Sequence, residues 1–462
     1  MGERVALINL GCPKNLVDSE VMLGHLGAEG FELTGDLDSA DVVVVNTCGF
    51  LEASAQESVN TLLSAARRKK DGQVRAVVAV GCMTQRYGAE VANAMPEVDG
   101  FLGVGQGQEL PDVVRRVLSG ERVTQVTGPA AGFEGYGLRL QQTPHHTAYL
   151  KISEGCDRNC AFCVIPSIRG KMVSRPISDL VFEARQLAAR GVRELILVGQ
   201  DPTRYGVDLG GHQLVELLTE LSRIEDLRWI RVMYLFPDRH AAAVLEAIAT
   251  LPRLCRYVDM PLQHAAPEIL RSMNRPGGDD EFLAMIETAR ALCPEMVVRS
   301  TFIVGFPGET REAYQRLAAF VHNAQLDWVG VFQYSKEEGS PAAAMSQQIT
   351  AHARRDRYHR LMRIQRDVTR KRLRKSIGSQ IEVLVEQVTG NAGVGRSMGQ
   401  APEIDGETHL DLTALPPSAP GDFVLAEITG SSEYDLTAKA LRLLHRSPAR
   451  TPELLQIGVK AR

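Results

Sequence analysis

Short, continuous apolar runs alternate with helix-forming segments through the first 128 residues. The runs are Val5–Leu10, Asp41–Asn46, Val74–Val80 and the weaker Gly100–Val104, and helices such as Leu16–Ala28 and Ala53–Lys70 fill the gaps. Runs of Val, Ile and Leu without polar alternation mark strands buried on both faces, so a parallel sheet covered by helices is predicted. Gly128–Thr147, rich in Gly, Pro, Gln and His, reads as a linker. From residue 148 to about 345 the pattern repeats strand then helix. The strand candidates are Ala148–Ser153, Glu194–Val198, Trp229–Leu235, Tyr257–Met260, Val297–Val304 and Trp328–Tyr334. Six units are too few to close an eight-stranded barrel, so an open, partial (β/α)6 barrel is expected.

The pattern changes twice more. Residues 351–375 predict a helix loaded with arginine, with Tyr358, Leu361, Ile364 and Val368 on one face. Docking by that face with the arginines in solvent is one reading, and contact with phosphates is the other. Beyond Gly378 come short strands with Gly/Pro turns: Ile381–Val388, Gly393–Ser397, His409–Leu412, Asp422–Ser431 and Leu436–Leu441. These suit a small antiparallel β-barrel, followed by a loose tail over Arg446–Arg462. The chain is therefore read as an α/β protein. Residues 1–128 form a parallel-sheet domain, 129–147 a linker, 148–376 the partial barrel with its basic helix, and 378–445 the small barrel.

Composition narrows the function. With 52 Lys+Arg against 56 Asp+Glu, the net charge of −4 excludes nucleic-acid binding by bulk positive charge. No apolar run approaches the ~18 residues that span a bilayer, and the N-terminus lacks the pattern of a secretory signal. The expected location is the cytoplasm, where eight cysteines are better read as ligands, nucleophiles or core residues than as disulfides.

The cysteines carry the chemistry. Cys156-Asp-Arg-Asn-Cys160-Ala-Phe-Cys163 lies just after the strand Ala148–Ser153, in the first loop at the C-terminal end of the barrel, where barrel enzymes place their sites. Three thiolates in one loop can hold three irons of a [4Fe–4S] cluster and leave the fourth iron open. A structural zinc needs four ligands, and no fourth Cys or His follows at close spacing. Cys12, Cys48 and Cys82 each follow a predicted strand of the first domain. Strand C-termini of a parallel sheet share one edge, so these three should converge on a second three-cysteine cluster. Cys255 and Cys293 read as structural thiols. Gly103-Val-Gly105-Gln-Gly107 lacks the full dinucleotide fingerprint and reads as a plain strand–helix turn. His145-His146 is expected to be solvent-exposed.

The C-x3-C-x2-C motif on a partial barrel resembles the radical S-adenosylmethionine (SAM) superfamily. Together with three N-terminal cysteines and a small terminal β-barrel, it is similar to the methylthiotransferases, whose last module is the TRAM domain. One branch of that family modifies a tRNA adenosine (MiaB-like), the other an aspartate of ribosomal protein S twelve. Gly11-Cys12-Pro13-Lys14-Asn15-Leu16-Val17-Asp18-Ser19-Glu20 resembles the second branch, with Pro13-Lys14 where the tRNA branch has Gln-Met. Met260-Pro261-Leu262-Gln263-His264-Ala265 and Ala401-Pro402-Glu403-Ile404-Asp405-Gly406 resemble it too, while Lys336 departs from a proline. The acidic excess of the last barrel, carried by Glu382, Glu386, Asp405, Asp422 and others, points the same way, toward a basic protein partner.

The resemblance implies two [4Fe–4S] clusters, one on Cys12, Cys48 and Cys82 carrying a sulfur atom, the other on Cys156, Cys160 and Cys163 cleaving SAM. It implies insertion of a methylthio group at the aspartate β-carbon. It also implies SAM contacts at Phe162, Gly199, Gln200, Arg299, Thr301 and Gly305, with Arg299 toward the methionine carboxylate, although Gly305 could serve only a tight turn. An electron donor such as flavodoxin or ferredoxin is implied, and the sulfur donor is not identified. The rivals are the tRNA enzyme, a non-catalytic iron–sulfur protein that binds the ribosome, and a zinc-bearing RNA-binding protein.

Overall fold

The computed structural model describes residues 2–128, 133, 137–448 and the backbone of 455–456. The first six strands are β1 (Arg4–Asn9), β2 (Glu32–Leu33), β3 (Val42–Thr47), β4 (Ala76–Gly81), β5 (Gly100–Leu102) and β6 (Val123–Gln125). They form one parallel sheet in the order β2-β1-β3-β4-β5-β6. Helices α1 (Pro13–Ala28), α2 (Glu52–Lys70), α3 (Cys82–Ala94) and α4 (Leu110–Leu118) cover both faces. Alternate valines explain the unbroken apolar runs. Val42, Val44 and Val78 face Met22, Leu26 and Val113, whereas Val43, Val45 and Val77 face Leu62 and Ala65. The edge strands β2 and β6 are too short to register in a periodicity.

The segment read as a linker is instead fastened. Its strand β7 (Leu138–Arg139) pairs with a late strand at Leu455–Gln456. Arg139 is fully buried between Glu20 of α1 (2.5 Å) and Glu183 (2.6 Å). His146 is also buried, contrary to the exposed position expected for it, and both ring nitrogens lack partners. Burial, aided by the neighbouring His145, lowers it to about 4. The unfolded ring titrates near 6.5, so the stability of the neutral buried ring is complete above that pH and is lost as pH falls toward 4. About 2 kcal/mol should disappear between pH 7 and 5. The urea midpoint should fall accordingly, and His146→Phe should flatten the fall; an unchanged pH profile in that variant would assign the effect elsewhere.

The central strands are β8 (Thr147–Lys151), the hairpin pair β9 (Ser153–Glu154) and β10 (Val173–Ser174), then β11 (Glu194–Val198), β12 (Trp229–Val232), β13 (Tyr257–Asp259), β14 (Val297–Val304) and β15 (Trp328–Gln333). Parallel pairs run β8-β11-β12 and β13-β14-β15. An Ile230–Leu254 bridge and a Leu235 N–H to Asp259 carbonyl bond (2.9 Å) join the two halves. The result is the six-stranded open barrel. Helices α5 (Ile165–Arg169), α6 (Ile177–Ala189), α7 (Leu214–Ser222), α8 (Ala241–Thr250), α9 (Pro267–Ser272), α10 (Asp279–Leu292) and α11 (Arg311–Ala324) intervene. Val298, Phe302 and Val304 of β14 pack outward against Phe320 and Leu317. Alternation therefore turns Arg299, Thr301 and Ile303 inward.

The basic helix α12 (Ala351–Lys375) docks through Leu361, Gln365, Val368 and Thr369. Several of its arginines have acidic partners, such as Arg357 with Glu309 (2.6 Å) and Arg372 with Asp327 (2.5 Å). The last strands, β16 (Gln380–Thr389), β17 (Ala392–Ser397), β18 (Thr408–Asp411), β19 (Phe423–Ser431) and β20 (Leu436–His445), close a barrel in the order β16-β17-β18-β20-β19. It is not wholly antiparallel, because β18 and β20 run parallel where the closure is made. This module stops the N-terminal mouth of the larger barrel. Phe423 meets Trp229 edge-on at 4.9 Å, and Glu194 is buried between Arg231 and Arg396. Part of its acidic excess is consumed in docking, where Glu382 pairs with Arg228 and Asp405 with Tyr257 and Arg299, and Glu386 is paired within the module by Arg396. Charge is thus weaker testimony to a basic partner than the sequence suggests. Beyond residue 448 the predicted loose tail lies outside the described residues, except β21 (Leu455–Gln456) on β7. Among the described residues no helix is long and apolar enough to cross a membrane.

Candidate metal centre

Cys12, Cys48 and Cys82 occupy the C-terminal edge of the first sheet. Cys12 is the N-cap of α1, Cys48 follows β3, and Cys82 opens α3. Gly11 lets them approach. Its φ is +92°, and a Cβ there would lie 2.9 Å from Cys48 Cβ and 3.1 Å from its sulfur. The three thiols lie within electrostatic reach of one another. Burial raises Cys48 and pushes Cys82 up to about 12 against the pull of Arg169. Cys12 is the exception: burial opposes its ionisation, yet Lys14 and Arg169 together bring it below its ordinary value.

The other trio sits on the loop between the paired strands β9 and β10. Gly155 starts that loop at φ +73°, where a Cβ would come within 2.1 Å of the Lys171 carbonyl oxygen. The Arg158 N–H donates to Cys156 Sγ and the Ile165 N–H to Cys163 Sγ, each at 3.4 Å. Arg275 approaches Cys160 Sγ at 3.7 Å. Burial pushes Cys156 up to about 11 and Cys163 to about 12. Burial thus disfavours the thiolate at Cys156 and Cys163, and a bound cation reverses that preference. Each trio offers three sulfurs with a guanidinium at its edge and backbone N–H donors: Lys14 and Asn15 toward Cys12 and Phe50 toward Cys48 in the first, Arg158 and Ile165 in the second. Such surroundings stabilise and tune thiolate-bound iron–sulfur clusters. Among the described residues no three His, Cys, Asp or Glu side chains converge as a single-ion site. Cys255 is buried and Cys293 half-buried, apart from both trios in the chain.

Two connections tie the trios together. Arg169 Nη1 donates to both oxygens of Glu154 at 2.8 Å, and its Nη2 reaches Asn15 Oδ1 (2.5 Å), Asp18 (3.1 Å) and Cys82 Sγ (3.2 Å). Glu154 lies two residues before Cys156. Lys151 Nζ strengthens the strap through Glu154 (2.6 Å) and Asp18. The second connection is the loop after β12. The Tyr234 ring lies under Lys14, two residues past Cys12, with Nζ 3.9 Å from its centroid. Phe236 stacks with Arg158 (3.8 Å) and Arg275 (4.2 Å), the residues flanking the second trio. Tyr234 and Phe236 are two residues apart, at most about 7 Å of chain. The barrel interior remains open beside them. Phe332, on the same face of β15 as Gly330, is 52 % exposed, and Thr301 and Tyr234 are partly so.

The residues considered for SAM fall in different places. Phe162 packs with Ala161 and Ile303 beside the second trio. Gly199 approaches Ser153, and Gln200 donates to Glu154 at 2.8 Å. Thr301 faces the interior. Gly305 serves a turn at φ +75° against Arg354 of α12. Arg299 sits lower, bound to Asp259 (2.8 Å) and Asp405 (3.4 Å), so its charge is already matched and is not free for a methionine carboxylate. The strap residues Arg169, Glu154, Lys151 and Asp18 escaped the reading of the sequence. Lys151 and Glu154 in an otherwise apolar strand region were the available signal.

The comparisons agree with this architecture. Residues 4–103 match the uncharacterized protein family UPF0004, 150–321 the radical SAM superfamily and 377–441 the TRAM domain. Curated relatives with the name "Ribosomal protein uS12 methylthiotransferase RimO" include one from Desulforamulus reducens, 45% identical over 94% of this chain and 98% of its own. Another, from Pelotomaculum thermopropionicum, is 43% identical over 96% of this chain and 100% of its own. Among solved structures, the radical SAM methyltransferase TsrM from Kitasatospora setae aligns over 79% of this chain and 89% of its own, with TM-score 0.55 at 14% identity, a likeness of fold alone. With relatives this similar along nearly the whole chain, and with both cysteine trios on the modules that those families define, the protein belongs to the radical SAM methylthiotransferase family, on the branch of its RimO relatives.

Proposed function

We propose that this enzyme inserts a methylthio group at the β-carbon of an aspartate of ribosomal protein S twelve, using two [4Fe–4S] clusters. The observation that carries the reading is the Arg169 strap, which joins a sulfur of one trio to the carboxylate next to the other. Cys12, Cys48 and Cys82 would hold the auxiliary cluster, and Cys156, Cys160 and Cys163 the cluster that meets SAM. When bound, the clusters and SAM supply the sulfur carrier, the methyl group and the radical that removes an unactivated hydrogen. The chain supplies placement. Glu154, Lys151 and Asp18 fix Arg169, so the two sulfur sets keep one separation, as radical recombination requires. Phe162, Gly199, Gln200 and Thr301 would border SAM. Phe236 stacks with Arg158 and Arg275 and so holds both guanidinium groups beside the second trio. The setting is the cytoplasm, with a flavodoxin- or ferredoxin-type electron donor.

The test offers anaerobically reconstituted enzyme the ribosomal protein or tRNA, with SAM and reductant. The expected product is the ribosomal protein heavier by one sulfur, one carbon and two hydrogens. Modified tRNA with untouched protein would reassign the enzyme to the other branch. Absence of both deoxyadenosine and S-adenosylhomocysteine would make it a non-catalytic carrier.

A further inference from the structure

The cations around the two trios are matched one by one. Arg169 is held by Glu154, Asp18 and Asn15, and Lys151 by Glu154 and Asp18. Arg158 is held by Asp201 and Asp238 at 2.6 Å each. Arg275 donates to the Pro261 carbonyl oxygen (2.6 Å) and to Cys160, and Arg299 is held by Asp259 and Asp405. Lys14 differs. Among the described residues its ammonium has no carboxylate or carbonyl partner and rests on the face of Tyr234. The ring is held there by a strained backbone. Tyr234 has φ +64°, and its N–H donates to Asp259 Oδ2 at 3.0 Å. Non-glycine residues adopt that conformation rarely, and strain of this kind collects at functional sites. Lys14 is half-buried, and Cys12, Glu154 and Asp259 lie within electrostatic reach of its ammonium without bonding to it.

We infer that Lys14 receives the carboxylate of the aspartate to be modified. This rests on the function proposed above and names how that site recognises its substrate. The cation stands two residues from Cys12 and on the loop that leads to the second trio, so an anion held by it lies between the two sulfur sets. In aspartate the β-carbon is one bond from the carboxyl carbon. A clamp on the carboxylate therefore positions the carbon that loses hydrogen and gains sulfur. An ammonium distinguishes aspartate from asparagine by charge, whereas a nucleobase offers it no anion at that place. Two other carboxylate or anion sources would use the same chemistry, the methionine end of SAM and the thiolates of Cys12, Cys48 and Cys82, and the experiment separates them.

Reconstituted wild-type enzyme, Lys14→Met and Lys14→Arg are each given the ribosomal protein with its target aspartate or with asparagine in its place. Binding of the target is followed by fluorescence anisotropy as well as turnover. Loss of a charge-assisted contact should weaken binding and kcat/KM for the aspartate form roughly 10- to 100-fold in Lys14→Met. The asparagine form should bind both enzymes within about twofold of each other, and Lys14→Arg should recover part of the loss. Iron content, SAM affinity and deoxyadenosine formation without target should stay at wild-type values. Weakened SAM affinity would give the cation to SAM, and lost iron would give it to the cluster. Equal losses on both forms would make Lys14 a structural residue. Each of these overturns the assignment while leaving the enzyme's function standing; a wild-type enzyme that ignores the ribosomal protein and modifies tRNA overturns both.

Discussion

Replacing Cys12, Cys48 and Cys82 together by alanine should remove about half of the iron, leave SAM cleavage in place and abolish the methylthio product. About four irons should remain per chain if Cys156, Cys160 and Cys163 hold a separate cluster. The separation has a structural basis. The first trio stands on three strand ends of its own sheet, and the second on a loop closed by its own hairpin, anchored by the Cys156 N–H to the Gly170 carbonyl oxygen (3.1 Å). Neither needs the other's sulfurs to fold. Iron and sulfide analysis of the anaerobic protein, with quantification of deoxyadenosine, reads the outcome. If the triple variant loses all its iron, or keeps all of it, two independent centres cannot be the arrangement. The companion change at Cys156, Cys160 and Cys163 should abolish deoxyadenosine and retain the other half of the iron.

The second large effect is expected at Arg169. It is buried, and Glu154 beside it is held below the usual carboxylate range by Arg169 and Lys151 despite the cost of burial. Removing the guanidinium in Arg169→Met takes from Glu154 and Asp18 a cation that both of them hold. Breaking one partner out of a buried ionic set costs on the order of 3–5 kcal/mol, far more than a surface pair. Urea unfolding of the reconstituted protein should show a loss of that size. Methylthiolation should fall further than deoxyadenosine formation, because the strap sets the distance between trios and not the second trio itself. Arg169→Lys restores one charge but cannot reach Glu154, Asn15 and Cys82 at once, so it should recover only part of either quantity. An unchanged unfolding midpoint with unchanged coupling would remove the strap from the explanation.

Much of this was legible in the chain itself, for identifiable reasons. A strand buried on both faces must be apolar throughout, so the valine runs before Cys12, Cys48 and Cys82 announced a parallel sheet. Strand ends of such a sheet must share an edge, which predicted the gathering of three distant thiols. The tight spacing of Cys156, Cys160 and Cys163 needed no fold at all. The misreadings concern polar residues. His146 and Arg139 lie in a segment whose Gly, Pro and Gln composition imitates a solvated linker, yet both are buried because other modules close over them. Arg299, named as a partner for the methionine carboxylate, meets Asp405 instead, a residue 106 positions later by the numbering that the docked terminal barrel delivers to it.

What the sequence determined by itself was therefore the main elements, the architecture and the two candidate trios of sulfur ligands, since hydrophobic period and ligand spacing are local properties. What only the tertiary structure decided was which charges meet: Arg169 with Glu154 and Cys82, Arg299 with Asp259 and Asp405, and Lys14 with the face of Tyr234. The physical reason is that a charge leaves no periodic trace along the chain, and its partner is chosen by how separately folded modules come to rest against one another.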